Sequence, residues 1–365
     1  MMRRLLLALA VTALAIIPLS GCVYVQPAQG FTWEDLVAPA IEYVTRDPPE
    51  LPSQLTTTTP TYSYSLRWSM TEVFAGFGGA MELWITNTCE KTLFVYGYGI
   101  RWVGSADVQE RDASSYVEPE EEAWLGMLGF NGPGDAGPAV YSITLNVVVQ
   151  TANGAAWHDY GRVTAVDRAV DVKPPIEERF YDYYHNSQDY FWDVNSRINT
   201  SAVESIVSMI RSEYLGEYSV HQIAAAYDWV RENIEYVSDN GGDYWQSVEE
   251  TLEARGGDCE DHAILMASIV KALGGNARVN IISGHAFPTV FVGSDQNGVW
   301  LSLKRYYGTE TKACFLTDEF GSWLVVDTTG FPYAGGLPAM SSPTNSTMPW
   351  TFNESDWLHS VDAVG

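Results

Sequence analysis

Cys259 stands in a stretch, Thr251–Gly275, built to open a helix on a nucleophile. Gly256-Gly257 permits a tight turn and Asp258 is an N-cap type. Ala263, Ile264, Ala267, Val270 and Leu273 then keep helical spacing until Gly274-Gly275 ends the run. This places Cys259 at or beside the first turn, where unpaired N–H groups and the helix dipole favour a thiolate. Asp258, Glu260 and Asp261 oppose that effect, because negative neighbours hold a thiol protonated. A cationic partner is therefore required. His285, which opens the strand-like run His285–Val292, can supply it, and the apolar run Trp323–Val326 ends in a carboxylate, Asp327. Such a carboxylate can take the far N–H of the imidazole, setting its tautomer and stabilising its cation.

Each residue alone has an ordinary role. A cysteine on an apolar helix is usually core, and an aspartate ending a strand usually forms a turn. His262 reads as a helix-surface residue, and Cys89 as a small buried one. A metal site made of Asp258, Glu260, Asp261 and His262 is not expected, since successive helix positions point in different directions. No cofactor is expected. No loop has EF-hand spacing.

Taken together, Gly257-Asp258-Cys259-Glu260-Asp261-His262-Ala263, the helix, the His285 strand and the strand ending at Asp327 resemble the transglutaminase-like superfamily. The resemblance spans roughly Val220 to Tyr333 and implies a papain-like α+β core. It carries the nucleophile onto Cys259, the base onto His285 and the orienting acid onto Asp327. It also suggests that Trp245 contacts substrate in the cleft or supports the oxyanion. The insert from Ser294 to Ser322 exceeds the minimal family core and reads as an extra hairpin over the cleft.

The elements that must position these groups follow from the wider pattern. The fold class expected is α+β: an N-terminal antiparallel, immunoglobulin-like β-sandwich followed by the papain- or transglutaminase-like domain. Short apolar or alternating runs at Tyr62–Met70, Ala80–Asn87, Leu93–Trp102 and Val140–Gln150, parted by Gly, Pro and Asn clusters, place the sandwich at residues 61–172. The α+β domain is set at residues 175–340, with Val220–Ile234 its clearest amphipathic helix, and residues 341–365 are expected as a C-terminal tail. Residues 1–21 read as a signal peptide: Arg3 and Arg4, an apolar run Leu5–Leu19, then Ser20-Gly21 before Cys22. Leu19-Ser20-Gly21-Cys22 resembles a lipobox, so Cys22 is the expected lipid attachment and residues 22–60 a Pro- and Thr-rich tether. An uncleaved anchor is the alternative. Both place the protein outside the cytoplasm, at the cell surface.

Acidic residues outnumber basic ones 46 to 20, a net charge of −26, which argues against nucleic acid as a partner. Three cysteines besides Cys22 leave at least one free thiol. The expected activity is thioester acyl transfer on amide bonds of a protein or peptide, resolved by water (peptidase or amidohydrolase) or by an amine (cross-linking). A non-catalytic surface binding protein of the same fold is the alternative.

Overall fold

The computed structural model describes residues 30–152, 154–239, 241–346 and 349–365. The signal segment and Cys22 lie outside them. No helix among the described residues is long and apolar enough to cross a membrane.

Seven strands come first: β1 (Tyr64–Met70), β2 (Gly79–Asn87), β3 (Leu93–Trp102), β4 (Val108–Val117), β5 (Glu122–Phe130), β6 (Gly137–Gln150) and β7 (Trp157–Val172). They form two antiparallel sheets, ordered β1-β2-β5 and β4-β3-β6-β7. Leu83 and Ile85 of the first sheet and Val95, Ile143 and Leu145 of the second belong to one buried cluster. Exposure alternates along β1, as period-2 side chains require when one face covers a core. The β4 and β7 strands had no clear pattern in the sequence because both are sheet edges rich in charge, Gln109-Glu110-Arg111-Asp112 in one and Asp167-Arg168 in the other. Charged edges discourage pairing with other chains.

The remainder alternates helices and strands: β8 (Asp182–His185), α1 (Gln188–Asn195), α2 (Glu204–Glu213), α3 (Val220–Asn233), β9 (Glu235–Tyr236), α4 (Val248–Ala254), β10 (Gly256–Gly257), α5 (Cys259–Leu273), β11 (Ala277–Ile282), β12 (His285–Gly293), α6 (Gln296–Tyr307), β13 (Phe315–Asp318), β14 (Gly321–Val325), β15 (Ser341–Pro343), β16 (Trp350–Phe352) and β17 (Trp357–Asp362). A six-stranded sheet, β13-β14-β12-β11-β17-β8, packs against α5. The chain is thus a mixed α+β protein with a strand-rich first half. Phe74, Ala80 and Met127 of that half join the core of the second, and Arg231 Nη2 meets Glu82 Oε2 at 3.3 Å, so the halves pack directly.

Three segments depart from expectation. The insert 294–322 is a helix followed by a strand that pairs with β14, not a hairpin alone: Asp295 caps α6 by accepting the Gly298 N–H at 2.9 Å, and Gly308 at φ +67° ends it. Residues 341–365 supply β15, β16 and β17, and β17 lies inside the main sheet between β11 and β8. Residues 30–60 are fastened to the body rather than free. Asn276 clasps them by accepting Val37 N–H at 2.8 Å and donating to Asp35 O at 3.0 Å.

Candidate active site

The α5 helix begins at Cys259 because Asp261 folds back to accept the Asp258 N–H at 3.2 Å and the Gln246 N–H at 2.7 Å. Gly257 makes this possible, since a Cβ there would lie 2.6 Å from Asp261 Cβ. Gly274, at φ +97°, ends the helix. Cys259 is half-buried, and the Ala286 N–H of β12 hydrogen-bonds its sulfur.

Strand register brings His285 to Asp327. Thr289 pairs with Val325, so continuing the antiparallel ladder sets Asp327 across from Phe287 and one step diagonal to His285. His285 and Phe287 share that face, with ring centroids 5.9 Å apart. His285 Nε2 lies 2.8 Å from Asp327 Oδ2, and both side chains are buried. Asp327 also accepts the Ala339 N–H at 2.8 Å on Oδ2, and the Thr329 N–H and hydroxyl at 3.0 and 2.7 Å on Oδ1. Its backbone carbonyl takes the hydroxyl of buried Tyr227 at 2.9 Å. An ionised carboxylate is acceptor-only, so Nε2 carries the proton and Nδ1 keeps its lone pair. Burial works to raise the Asp327 pKa, but His285 and these donors outweigh it and hold it below the usual 3.8.

The thiol has the opposite setting. Burial and then Glu260 push Cys259 well above its ordinary value, with only the Ala286 amide lowering it. The thiol donates to Glu260 Oε2 at 3.2 Å. Burial, with hydrogen bonding to Asp258 and Asp243, pushes Glu260 up to about 8, and burial chiefly pushes Asp261 up to about 6.

Beside the pair is a cleft of about 490 Å³ lined by Tyr236, His262, Gly284, His285, Thr328 and Met340, among others. His262 is buried rather than on a helix surface, because α5 is covered nearly all round; its Nδ1 lies 2.9 Å from Thr328 Oγ1. Burial lowers its pKa, so it serves the cleft as a neutral ring. Only its apolar neighbours at helical spacing could have signalled this in the sequence. Trp245 stacks on Tyr190 at 6.1 Å, is not part of the cleft wall, and directs its indole N–H to Asp243 Oδ2 at 3.4 Å. Cys89 is half-buried and donates to Lys91 O at 3.3 Å; Cys314 is buried, and both are free thiols.

Residues 204–328 match the family described as the transglutaminase-like superfamily, a span that holds Cys259, His285 and Asp327. Among solved structures the chain is similar to a candidate cysteine protease from Cytophaga hutchinsonii at 12% identity, covering 82% of this chain and 92% of that one with a TM-score of 0.26. It is also similar to a β-glucuronidase from Bacteroides uniformis at 11% identity, covering 54% of this chain, with a TM-score of 0.20. A PapD-like domain of human CEP192 aligns at 10% identity over 36% of this chain and all of that domain, with a TM-score of 0.18. The chain spans only 22% of the β-glucuronidase's length. At these scores the structural likenesses carry no argument. No curated protein matches the chain. Over residues 204–328, then, this chain matches the transglutaminase-like superfamily.

Proposed function

We propose that the protein is a cysteine enzyme that cleaves or exchanges amide bonds in a protein or peptide through a thioester on Cys259. The observation that carries this reading is the buried His285–Asp327 pair at 2.8 Å, together with the Ala286 N–H on the Cys259 sulfur, which sets the base's strand against the nucleophile. His285 Nδ1 takes the thiol proton and the sulfur adds to the amide carbonyl. The tetrahedral oxyanion finds backbone N–H groups at the start of α5, each such donor contributing about 3 kcal/mol. The C–N bond then breaks as the imidazolium gives its proton to the leaving amine. Water or a second amine next attacks the thioester carbonyl, giving its proton to His285; the C–S bond then breaks, and the departing sulfur takes that proton back to restore the thiol. Water is the acceptor in this reading, which makes the protein a peptidase or amidohydrolase.

The finer architecture assigned with it is an immunoglobulin-like sandwich at 61–172, acting as a spacer or binding module, before a catalytic domain at 175–340. A signal peptide at 1–21 and a lipid on Cys22 would hold the enzyme at the outer face of a membrane.

Incubating the protein with a labelled casein-type substrate, with and without a primary amine, and trapping the thioester with hydroxylamine tests the chemistry. Iodoacetamide labelling tests the pair: Cys259 should react faster than Cys89 and Cys314, and His285→Ala should remove the advantage. Equal labelling of all three thiols would overturn the reading. The raised thiol pKa favours one rival, a surface binding protein of the same fold, which predicts peptide binding with no thioester.

A further inference from the structure

The cleft beside the catalytic pair holds a single fixed cation. Among the described residues that line it, Arg231 is the one lysine or arginine. It follows Tyr227 by four positions on α3, so the two share a helix face about 6 Å apart. Tyr227 is the residue whose hydroxyl meets the Asp327 carbonyl, which places Arg231 about one helical turn from that contact. Glu82 of β2 lies 3.3 Å from Arg231 Nη2, the only side-chain hydrogen bond of this arginine among the described residues. A guanidinium presents five N–H donors in a planar fork, so one edge remains for a second carboxylate. None of its nitrogens is buried without a partner, so solvent reaches that edge.

Arg231 also lines a second cavity, of about 270 Å³, together with Arg46 and Arg111. Neither of these two joins an ion pair among the described residues. Arg46 comes from the N-terminal segment and donates to the Tyr306 carbonyl. Arg111 comes from β4, and its Nη1 donates to the Tyr98 hydroxyl at 3.3 Å and to Met127 O, both neutral. Gly126, at φ +122°, makes room for it: a Cβ there would lie 2.6 Å from Nη1.

Three arginines from three parts of the chain thus meet beside the reacting groups, in a protein with 20 basic residues against 46 acidic. The acids of the two cavities do not cancel them. Glu82 is engaged by Arg231, and Asp228 accepts the hydroxyls of Tyr306 and Tyr307 at 3.0 Å each, with burial pushing its carboxyl up to about 7. Glu232 and Glu235 are exposed to water. The acids crowded around Cys259 line neither cavity and hydrogen-bond to one another. Guanidinium charge with no carboxylate to answer it, at the edge of a cleft, is a receptor for carboxylate groups.

We infer that the peptide substrate of the Cys259 site is acidic: Arg231 grips a carboxylate in the cleft, and further carboxylates follow into the cavity of Arg46 and Arg111. This rests on the amide chemistry proposed above and adds its substrate class. It also gives the first half of the chain a part in recognition, since Glu82 holds Arg231 and Arg111 belongs to β4.

The test uses the full chain and quenched-fluorescence octapeptides carrying Glu, or Gln in its place, each with a free or an amidated C-terminus. The preferred acidic peptide should show a kcat/KM at least tenfold higher, carried by KM and shrinking as salt is raised. A preference for Glu over Gln, or for the free over the amidated terminus, supports the inference and says which carboxylate is read. Arg231→Gln should remove the preference. Because it strips Glu82 of its partner, the exposed Arg46→Gln gives a second reading and should cut the preference at least threefold. Arg168→Gln, on β7, should leave it unaltered. Equal kcat/KM for all four peptides, or a preference that survives in both variants, overturns the inference and leaves the amide chemistry standing. Cleavage of no peptide sinks the amide reading instead, and fluorescence anisotropy of the same peptides then decides the site: tighter binding of the acidic ones supports it, and equal binding overturns it.

Discussion

Asp327 and Glu260 are buried carboxylates of one domain with contrasting surroundings. Four donors converge on Asp327: His285, Ala339, and the Thr329 amide and hydroxyl. Glu260 receives a thiol at 3.2 Å and is otherwise hydrogen-bonded to two further acids, Asp258 and Asp243. The first is held below the usual carboxylate range and the second is pushed up to about 8. Both sit beside reactive groups, so burial by itself does not set their role. Donors make Asp327 a fixed negative anchor for an imidazole. Burial and acidic neighbours make Glu260 a group that keeps its proton.

Removing the satisfied side should produce the largest effect. His285→Ala is expected to lower amide turnover on the order of 10⁴-fold, and Asp327→Asn on the order of 10³–10⁴-fold by upsetting the tautomer, read from release of a labelled amine. A loss under tenfold in Asp327→Asn would mean that the carboxylate does not orient the ring.

Stability should separate the two carboxylates by sign. Asp327→Ala leaves buried donors unanswered and should cost about 3–5 kcal/mol in urea unfolding. Glu260→Gln removes an acid crowded by Asp258 and Asp243 and should stabilise by about 1 kcal/mol. Destabilisation by both would erase the contrast drawn between them.

Acid titration sharpens the same point. Asp327 has a folded value below its unfolded 3.8, so its contribution is fully present above that value and is lost as pH falls through the folded one. The stability gap between wild type and Asp327→Asn should therefore be widest above pH 3.8 and close on further acidification, as followed by circular dichroism. A gap independent of pH would show that ionisation is not its source. The smallest change expected is in Tyr227→Phe, which deletes the hydroxyl that donates to Asp327 O at 2.9 Å and should cost about 1 kcal/mol with the fold intact.

Much of the site could be read from the chain because its parts are local. The turn at Gly257, the run of α5 to Leu273 and the strands before Gly293 and at Trp323–Val325 follow from spacing and from glycines at the ends. The α6 helix was legible in principle through its caps, Asp295 and Gly308, but its aromatic run mimicked a hairpin. By contrast β17, six residues long, has meaning only through partners far away in sequence, Arg278–Ile281 and Asp182–His185. Its Asp362 is buried against Arg278 at 2.6 Å and His185 at 3.0 Å, a pairing that no local pattern announces.

The sequence alone determined where a helix starts with a cysteine, where a strand begins with a histidine, that another strand runs out just before an aspartate, and that acids crowd the thiol. Those are consequences of short-range sterics, capping and period. Tertiary structure decided the rest. Register across β12 and β14 joined His285 to Asp327, the covering of α5 buried His262, and a loop fold brought Asp239 and Asp243 to Glu260. Those outcomes depend on which distant segments close against one another, and that is set by burial of the whole core rather than by any one stretch of residues.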